Sequence, residues 1–359
     1  MDKEKIGILT FQNTINYGAD LQLYALNRIL KRIGKNPVII NYKNEIIENR
    51  EFPKLSKKML PKKFLRTIIM KCLTSKKKKK FTEFKKTEFI FSRAYNCENF
   101  KQLNEEFDKV IVGSDQVWNT ELTGKDLNYF FHGLPSEMKR YSYAASFGVG
   151  NIESLHRKND ISEALQSFDL ITTREVVGEA MVKKLSGCDS TTVLDPTFLL
   201  TKEEWLEFGS SKQMADKPFL LIYFVKNKEI LENANRYARK NGLYIKYISM
   251  KPFAGKGIKT ITGASPREFI SLISNATVVI TGSYHGFILS LNLNVPVGVD
   301  LDRSIGNRNA RLINIIELLD IKLPESKEKD ELSFFTDYNR FNVKLQSLRA
   351  KSLTILKEI

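Results

Sequence analysis

The 359-residue chain contains few cysteines, no Cys-x-x-Cys pair and no long apolar run. Its three cysteines, Cys72, Cys97 and Cys188, are odd in number and widely spaced, which argues against a disulfide framework or a zinc site. No apolar stretch approaches the ~20 residues needed to span a membrane. The N-terminus also lacks the pattern of a signal peptide. We therefore expect a cytoplasmic protein.

Histidine is as scarce as cysteine, with three residues, and these are not spaced like metal ligands. The chain also lacks the Gly-x-Gly-x-x-Gly fingerprint of dinucleotide-binding folds and the lysine motif of phosphate-binding loops. No internal repeat is visible. Neither a metal nor a nucleotide cofactor is expected.

Charge is strongly one-sided, because 57 lysines and arginines against 41 acidic residues give a net charge of +16. Much of the excess lies in residues 54–86, which include the run Lys76 to Lys80. A solvated pair of basic helices would explain it. A patch that meets an anionic membrane, or a lipid-linked phosphate, would explain it as well. Nucleic acid is not expected, since no zinc-finger spacing, RNA-binding aromatic strand or heptad extension accompanies the charge.

Apolar runs and helical periodicity alternate along the chain in two successive series. This pattern predicts an α/β protein with two Rossmann-like lobes, residues 1–200 and 201–330, followed by a C-terminal helix in 331–359 that packs back on the first lobe. Residues 50–95 are expected to form a basic, all-helical insertion in the first lobe. The working site is expected in a cleft between the lobes.

Ligands of open α/β sheets bind beyond the carboxyl ends of the strands, so the polar loops at those ends are the candidate sites. Asn16 and Tyr17 follow the first predicted strand. Residues 113–119 follow another and combine polar side chains with Trp118. Such a loop suits a sugar; the alternative is a capped turn with Asp115 as N-cap and Trp118 in the core. The expected sugar contacts are Asn16, Tyr17, Ser114, Asp115, Gln116 and Asn119.

Charged and titratable residues follow three other predicted strands. Arg174 opens a helix, where its guanidinium can fork onto a carboxylate or phosphate. His285 lies at a helix start after an apolar strand, a position that suits a general acid or base or a buried structural histidine. Further along, Arg303, Arg308 and Arg311 could hold an anion together, although Arg311 also begins an amphipathic helix.

Nine short blocks of sequence match the conserved order of a known family. They are residues 5–10, 16–19, 21–22, 112–119, 142–148, 174–175, 194–197, 266–269 and 283–286. In this order they resemble the polysaccharide pyruvyl transferase family, and the blocks 112–119 and 283–286 are the most specific. The lysine-rich insertion and the residues beyond about 325 lie outside the resemblance.

The resemblance implies two lobes like those of GT-B glycosyltransferases. It implies transfer of the pyruvyl group of phosphoenolpyruvate, as co-substrate and without other cofactor, to a sugar as a ketal with release of phosphate. His285 matches the family's histidine acid. Some members have an arginine where this chain has Ser283. The implied donor residues are Arg174, Ser283, Tyr284 and Gly286, with Arg303, Arg308 or Arg311 in place of that arginine.

The expected acceptor is a glycan or lipid-linked oligosaccharide of a bacterial surface polysaccharide, which would bring the enzyme to the inner face of the cell membrane. Two other functions remain open from the sequence. One is a GT-B glycosyltransferase that takes a nucleotide sugar, with the loop 249–263 holding base and ribose. The other is a non-catalytic carbohydrate-binding relative.

Overall fold

The structure is a computed structural model that describes residues 4–53, 60–209, 217–249, 257–301, 310–324 and 332–359. The chain forms two compact units. The first comprises residues 1–54, 85–199 and 346–359, and the second comprises residues 55–84 and 200–345. The sequence-based division had kept the whole basic segment in the first lobe, whereas residues 55–84 group with the second unit.

The first unit is built on a seven-stranded sheet with the order β3-β2-β1-β4-β5-β6-β7. Pairing between these strands is parallel throughout. The strands are β1 (Lys5–Leu9), β2 (Asn36–Tyr42), β3 (Phe91–Tyr95), β4 (Lys109–Asp115), β5 (Lys139–Ala145), β6 (Thr172–Thr173) and β7 (Thr191–Thr192). Its helices are α1 (Tyr17–Arg32), α2 (Glu45–Glu51), α4 (Thr120–Thr123), α5 (Lys158–Gln166) and α6 (Val176–Ser186). Helix α3 (Pro61–Glu88) belongs to this unit only with its last residues, because residues 61–84 group with the second unit.

The central strands are apolar because helices cover both faces of a parallel sheet. In β1, Ile6, Ile8 and Leu9 are fully buried. Helix α1 follows because Asn16 caps its first turn, and Lys31 and Arg32 in its last turn complement the helix dipole. The predicted strand–helix–strand opening of the chain is confirmed.

The basic segment differs from its prediction at its end. Helix α3 extends to Glu88, but residues 91–95 then form the edge strand β3, which pairs with β2 through Ile39 and Phe91. The all-helical prediction for residues 50–95 was therefore wrong for this stretch. Only Ser92 and Tyr95 of its five residues are buried, so the strand signal of β3 is much weaker than the helical signal of the lysine-rich segment before it.

The second unit repeats the arrangement with a five-stranded sheet in the order β10-β9-β8-β11-β12. Its strands are β8 (Phe219–Tyr223), β9 (Tyr244–Ile248), β10 (Ile258–Ile261), β11 (Val278–Thr281) and β12 (Val297–Val299). Its helices are α7 (Lys202–Gly209), α8 (Lys228–Lys240), α9 (Pro266–Ser274), α10 (Tyr284–Asn292), α11 (Ala310–Leu318) and the first part of α12 (Tyr338–Lys357). Strand β10 lies in the stretch that the sequence treated as a loop; residues 250–256 of that stretch lie outside the described residues.

The last part of α12 belongs to the first unit. There the backbone N–H of Leu194 donates to Ser352 Oγ at 3.0 Å, and Lys109 Nζ donates to the carbonyl oxygen of Ile359 at 3.2 Å. Among the described residues, no helix combines the length and the hydropathy that crossing a membrane requires.

Candidate functional site

The loop after β1 provides the N-terminal cap of α1. Asn16 is exposed, and its side-chain oxygen accepts from the backbone N–H of Gly18 at 2.9 Å and of Ala19 at 3.4 Å. Tyr17 is only 2% exposed. The structure therefore gives both residues a role in starting α1, and sugar binding by them stays a prediction.

Ser114, at the end of β4, is fully buried and joins the carboxyl ends of several strands. Its backbone N–H donates to Gln22 Oε1 at 3.1 Å, and its carbonyl oxygen accepts from Thr10 Oγ1 at 3.0 Å. Its hydroxyl lies 3.0 Å from the carbonyl oxygen of Ala144 and 3.3 Å from Asp195 Oδ2. Ser114 therefore holds the neighbouring strand ends together.

The rest of the β4 loop forms a capped turn, as the alternative predicted, but the cap is Asn119 and not Asp115. Trp118 is fully buried, donates from Nε1 to the carbonyl oxygen of Tyr129 at 3.0 Å and stacks on Phe130 with ring centres 5.5 Å apart. It belongs to the core, so the interpretation of Trp118 as a platform for a sugar ring was wrong. Asn119 caps α4 by accepting from two backbone N–H groups, and its Nδ2 donates to Gln116 Oε1 at 3.3 Å.

Arg174 lies among three carboxylates at this same edge of the sheet. Its NH1 atom is 3.2 Å from Asp195 Oδ2 and 3.6 Å from Asp115 Oδ1, and its Nε donates to Glu175 Oε1 at 3.1 Å. The side chain is 1% exposed. One guanidinium thus faces three carboxylates in a setting where water screens little.

We call Asp115, Arg174, Glu175 and Asp195 the first-unit charge cluster. Two of its carboxylates are also held by neighbouring residues. Ser146 Oγ donates to Glu175 Oε1 at 2.9 Å, and Asp195 Oδ1 accepts from both the N–H and the hydroxyl of Thr197. Asp115 is the most exposed carboxylate of the cluster, at 13%. Asp195 was not proposed as a site residue; the signal available was an Asp-Pro-Thr turn, which is typical of a cap.

In the second unit, the turn between β11 and α10 positions the predicted acid. Ser283 caps α10, its Oγ accepting from the N–H of Gly286 at 3.3 Å, and its own N–H donates to Thr281 Oγ1 at 3.0 Å. His285 sits in the first turn of the helix and is 7% exposed. Its ring meets that of Tyr284 edge-on, with centres 5.2 Å apart.

Tyr223, at the end of β8, lies under this turn. Burial raises the pKa of Tyr223 to about 12, and a hydrogen bond with Ser283 lowers that pKa by less. The phenol therefore stays protonated throughout the neutral range. A Cβ atom on Gly286 would lie 2.9 Å from Tyr223 Cδ1 and 2.6 Å from Thr281 Oγ1. The absent side chain of Gly286 is what allows α10 to start this close to the sheet.

Substituting Gly286 with alanine should therefore destabilise the second unit by about 1–3 kcal/mol, because the strand residue Thr281 is fully buried and has little room to move. The thermal unfolding midpoint and the turnover number should both fall. Gly150→Ala is the matched control, because a Cβ atom there would meet nothing within 4 Å. An unfolding midpoint equal to that of Gly150→Ala would contradict the close packing.

Asp300 directly follows β12, at the carboxyl ends of the strands of the second sheet. It is 4% exposed, and its Oδ2 accepts from the backbone N–H of Lys226 at 2.9 Å and of Asn227 at 3.3 Å. This fixes the loop after β8, where Phe224 is 52% exposed with a φ of 57°. Neither residue was among the predicted site residues; the available signal was an aspartate directly after a buried strand.

The three downstream arginines are only partly described. Arg303 and Arg308 lie outside the described residues. Arg311, at the start of α11, has its guanidinium carbon 5.8 Å from the ring centre of Tyr284. The structure thus brings Arg311 to the turn that carries His285. In the described part of the chain, no group of three or more histidine, cysteine or acidic side chains is arranged to hold a metal ion.

Solved structures of low sequence identity share this fold. A protein assigned as a UDP-N-acetylglucosamine 2-epimerase from Listeria monocytogenes gives a TM-score of 0.54 at 12% identity, covering 99% of this chain and 91% of that one. Another UDP-N-acetylglucosamine 2-epimerase gives 0.52 at 11% identity, with coverages of 99% and 96%. The predicted α/β fold of two Rossmann-like, GT-B-like lobes is thereby confirmed.

Comparison of sequences points to one family. The family model described as polysaccharide pyruvyl transferase matches residues 16–299. This span includes the β4 loop, the first-unit charge cluster and the turn with His285. No curated protein matches the chain significantly.

Proposed function

Because the chain belongs to the polysaccharide pyruvyl transferase family, we propose that it transfers the pyruvyl group of phosphoenolpyruvate to a sugar as a ketal. The acceptor in this proposal is a bacterial surface polysaccharide or its lipid-linked precursor. The family match over residues 16–299 is the observation that carries the proposal.

In the proposed reaction, the methylene carbon of phosphoenolpyruvate takes up one proton, which makes the adjacent carbon electrophilic. One sugar hydroxyl adds to that carbon and loses its proton. A neighbouring hydroxyl then displaces phosphate and closes the ring. A diol and phosphoenolpyruvate thus give a cyclic ketal and inorganic phosphate, with no change of oxidation state and no cofactor or metal.

His285 is the proposed acid, giving its proton to the methylene carbon or to the departing phosphate. Its position in the first turn of α10 supports this role, since the dipole at the start of a helix favours an anionic substrate there. Ser283, Tyr284 and Gly286 shape the same turn. Arg311 lies against Tyr284 and adds a positive charge near this turn. We propose that it takes over the role of the arginine that some members carry at the position of Ser283.

The first unit is proposed to bind the acceptor. Asp115 offers the most exposed carboxylate of the first-unit charge cluster, and a carboxylate accepts hydrogen bonds from sugar hydroxyls. Gln116 is half-buried beside it and contributes an amide. Arg174 is then better placed to orient Asp115 than to hold the donor, because it already pairs with carboxylates on three sides.

The test is phosphate release from phosphoenolpyruvate in the presence of candidate lipid-linked glycans, with mass spectrometry of the glycan. We expect acceptor-dependent phosphate release and a glycan that gains one ketal-linked pyruvyl group. Calorimetry with phosphoenolpyruvate and with a panel of nucleotide sugars is the companion measurement. Binding of a nucleotide sugar, without phosphate release from phosphoenolpyruvate, would instead support a glycosyltransferase.

A further inference from the structure

The first half of α3 exposes apolar side chains. Leu65 is 59% exposed, Ile69 48% and Phe64 37%, and Leu60 just before the helix is 76% exposed. The opposite side of the helix is the packed one, since Thr67, Lys77, Phe81 and Phe84 are buried there. Phe84 meets Phe208 edge-on within the second unit, with ring centres 5.9 Å apart. The apolar residues of the first half therefore face away from the unit they belong to.

The outward side chains form one row. Leu65, Ile69, Cys72, Lys76 and Lys79 follow one another at alternating steps of four and three, the spacing that keeps side chains on one helix face. All five are exposed. The row is apolar in the first half of α3 and basic in the second. We call it the α3 outer face.

Charge on α3 has a single sign over most of its length. Residues 60–82 contain nine lysines and arginines and no acidic residue. Two of the lysines are turned inward, since Lys77 is buried and Lys80 pairs with Glu268. The others whose side chains are described, Lys71, Lys76, Lys78 and Lys79, are exposed. On the outer face, Lys79 lies 4.0 Å from Glu83 in an exposed pair, and the stem of Lys76 lies beside Gly263. Both lysines remain exposed to an anionic partner.

We propose that the α3 outer face docks on an anionic membrane surface. Helices that lie at a membrane interface combine exposed apolar side chains with lysines, which are attracted to anionic lipid headgroups. Two copies of the face would bring their lysines together and repel each other. Nucleic acid would be attracted by the lysines but would leave Leu65 and Ile69 in water. Docking on the membrane does not depend on the proposed reaction. The further statement that docking brings the enzyme to a lipid-linked acceptor rests on the proposed function.

The test is co-sedimentation of the full chain with vesicles of phosphatidylcholine alone or mixed with phosphatidylglycerol. We expect binding only to the anionic vesicles, and weaker binding at high salt. Lys76→Glu/Lys79→Glu should lower the partition coefficient on the order of tenfold. Leu65→Ser/Ile69→Ser should also lower it, because the apolar contact with the acyl boundary is lost.

The controls lie on α12. Lys344→Glu/Lys351→Glu makes the same change in net charge at exposed lysines, and Val343→Ser removes a side chain that is 72% exposed. Both should bind vesicles like the wild type. An equal loss of vesicle binding in these control variants would contradict docking through the α3 outer face. So would full binding by Leu65→Ser/Ile69→Ser, or a dimer in light scattering that this pair abolishes. Phosphate release with a water-soluble acceptor should be unchanged in the α3 variants, which separates failed docking from failed catalysis.

Discussion

Replacing His285 with glutamine should lower the turnover number for phosphate release by about 10²–10⁴-fold, because a positioned general acid contributes on this order. Glutamine keeps a polar side chain of similar length in the first turn of α10 but cannot transfer a proton at neutral pH. The measurement is steady-state phosphate release at saturating phosphoenolpyruvate. Thermal unfolding of the same protein should stay near that of the wild type.

His156→Gln is the matched control for this substitution. The side chain of His156 is 42% exposed, and its Nε2 lies 2.9 Å from Glu121 Oε1 in the first unit. Removing it should leave turnover unchanged. If His285→Gln turned over at the wild-type rate, the proposed acid would be rejected. Should the glutamine variant prove unstable, His285→Asn offers a second test of the same proton transfer.

Replacing Arg174 with methionine should destabilise the first unit by about 3–5 kcal/mol, because removing one partner of a buried ion pair leaves uncompensated charge. Here three carboxylates would remain at the carboxyl edge of the sheet. Glu175→Gln should lower the free energy of unfolding much less, because Arg174 would still pair with Asp115 and Asp195.

Urea unfolding can follow the first unit alone. The chain has two tryptophans, and Trp205 belongs to the second unit. In a Trp205→Phe background, fluorescence therefore reports on the buried Trp118. The control is Lys183→Met, which breaks an exposed pair with Asp189 and should cost about 0–1 kcal/mol. A similarly small cost for Arg174→Met would contradict the first-unit charge cluster.

Arg174→Lys separates the two roles of this residue. If Arg174 oriented Asp115, lysine would lower the urea midpoint, because an ammonium group cannot fork towards three carboxylates. If Arg174 also held the donor, lysine would in addition raise the KM for phosphoenolpyruvate, whereas an unchanged KM would leave it the positioning role alone. Both quantities come from the same purified variant.

Much of the fold follows from local patterns. Strands β1 and β8 are buried on both faces, so they read as continuous apolar runs, and the helices between the strands show a periodic apolar side. Strand β3 was missed because only two of its five residues, Ser92 and Tyr95, are buried. Strand β10 was missed for a similar reason, since none of its residues is fully buried.

Within the candidate site, the residue types predicted which loops carry polar side chains. They did not predict which residues those side chains contact. The positions of Ser114, Arg174 and His285 at strand ends were predicted correctly, because the strands before them are recognisable. That Arg174 would meet Asp115 and Asp195 could not be predicted. These residues are distant in sequence, and they meet only because β4, β5, β6 and β7 are neighbours in the sheet.

The sequence by itself determined the alternation of strands and helices, the polar loops at the strand ends, the charge of α3 and the family. Those properties depend on residue type and spacing along the chain. Only the tertiary structure decided that Trp118 is a core residue, that Arg174 is surrounded by carboxylates and that α3 exposes Leu65 and Ile69. Each of these depends on which distant residues pack against a side chain, and local spacing carries no information about that.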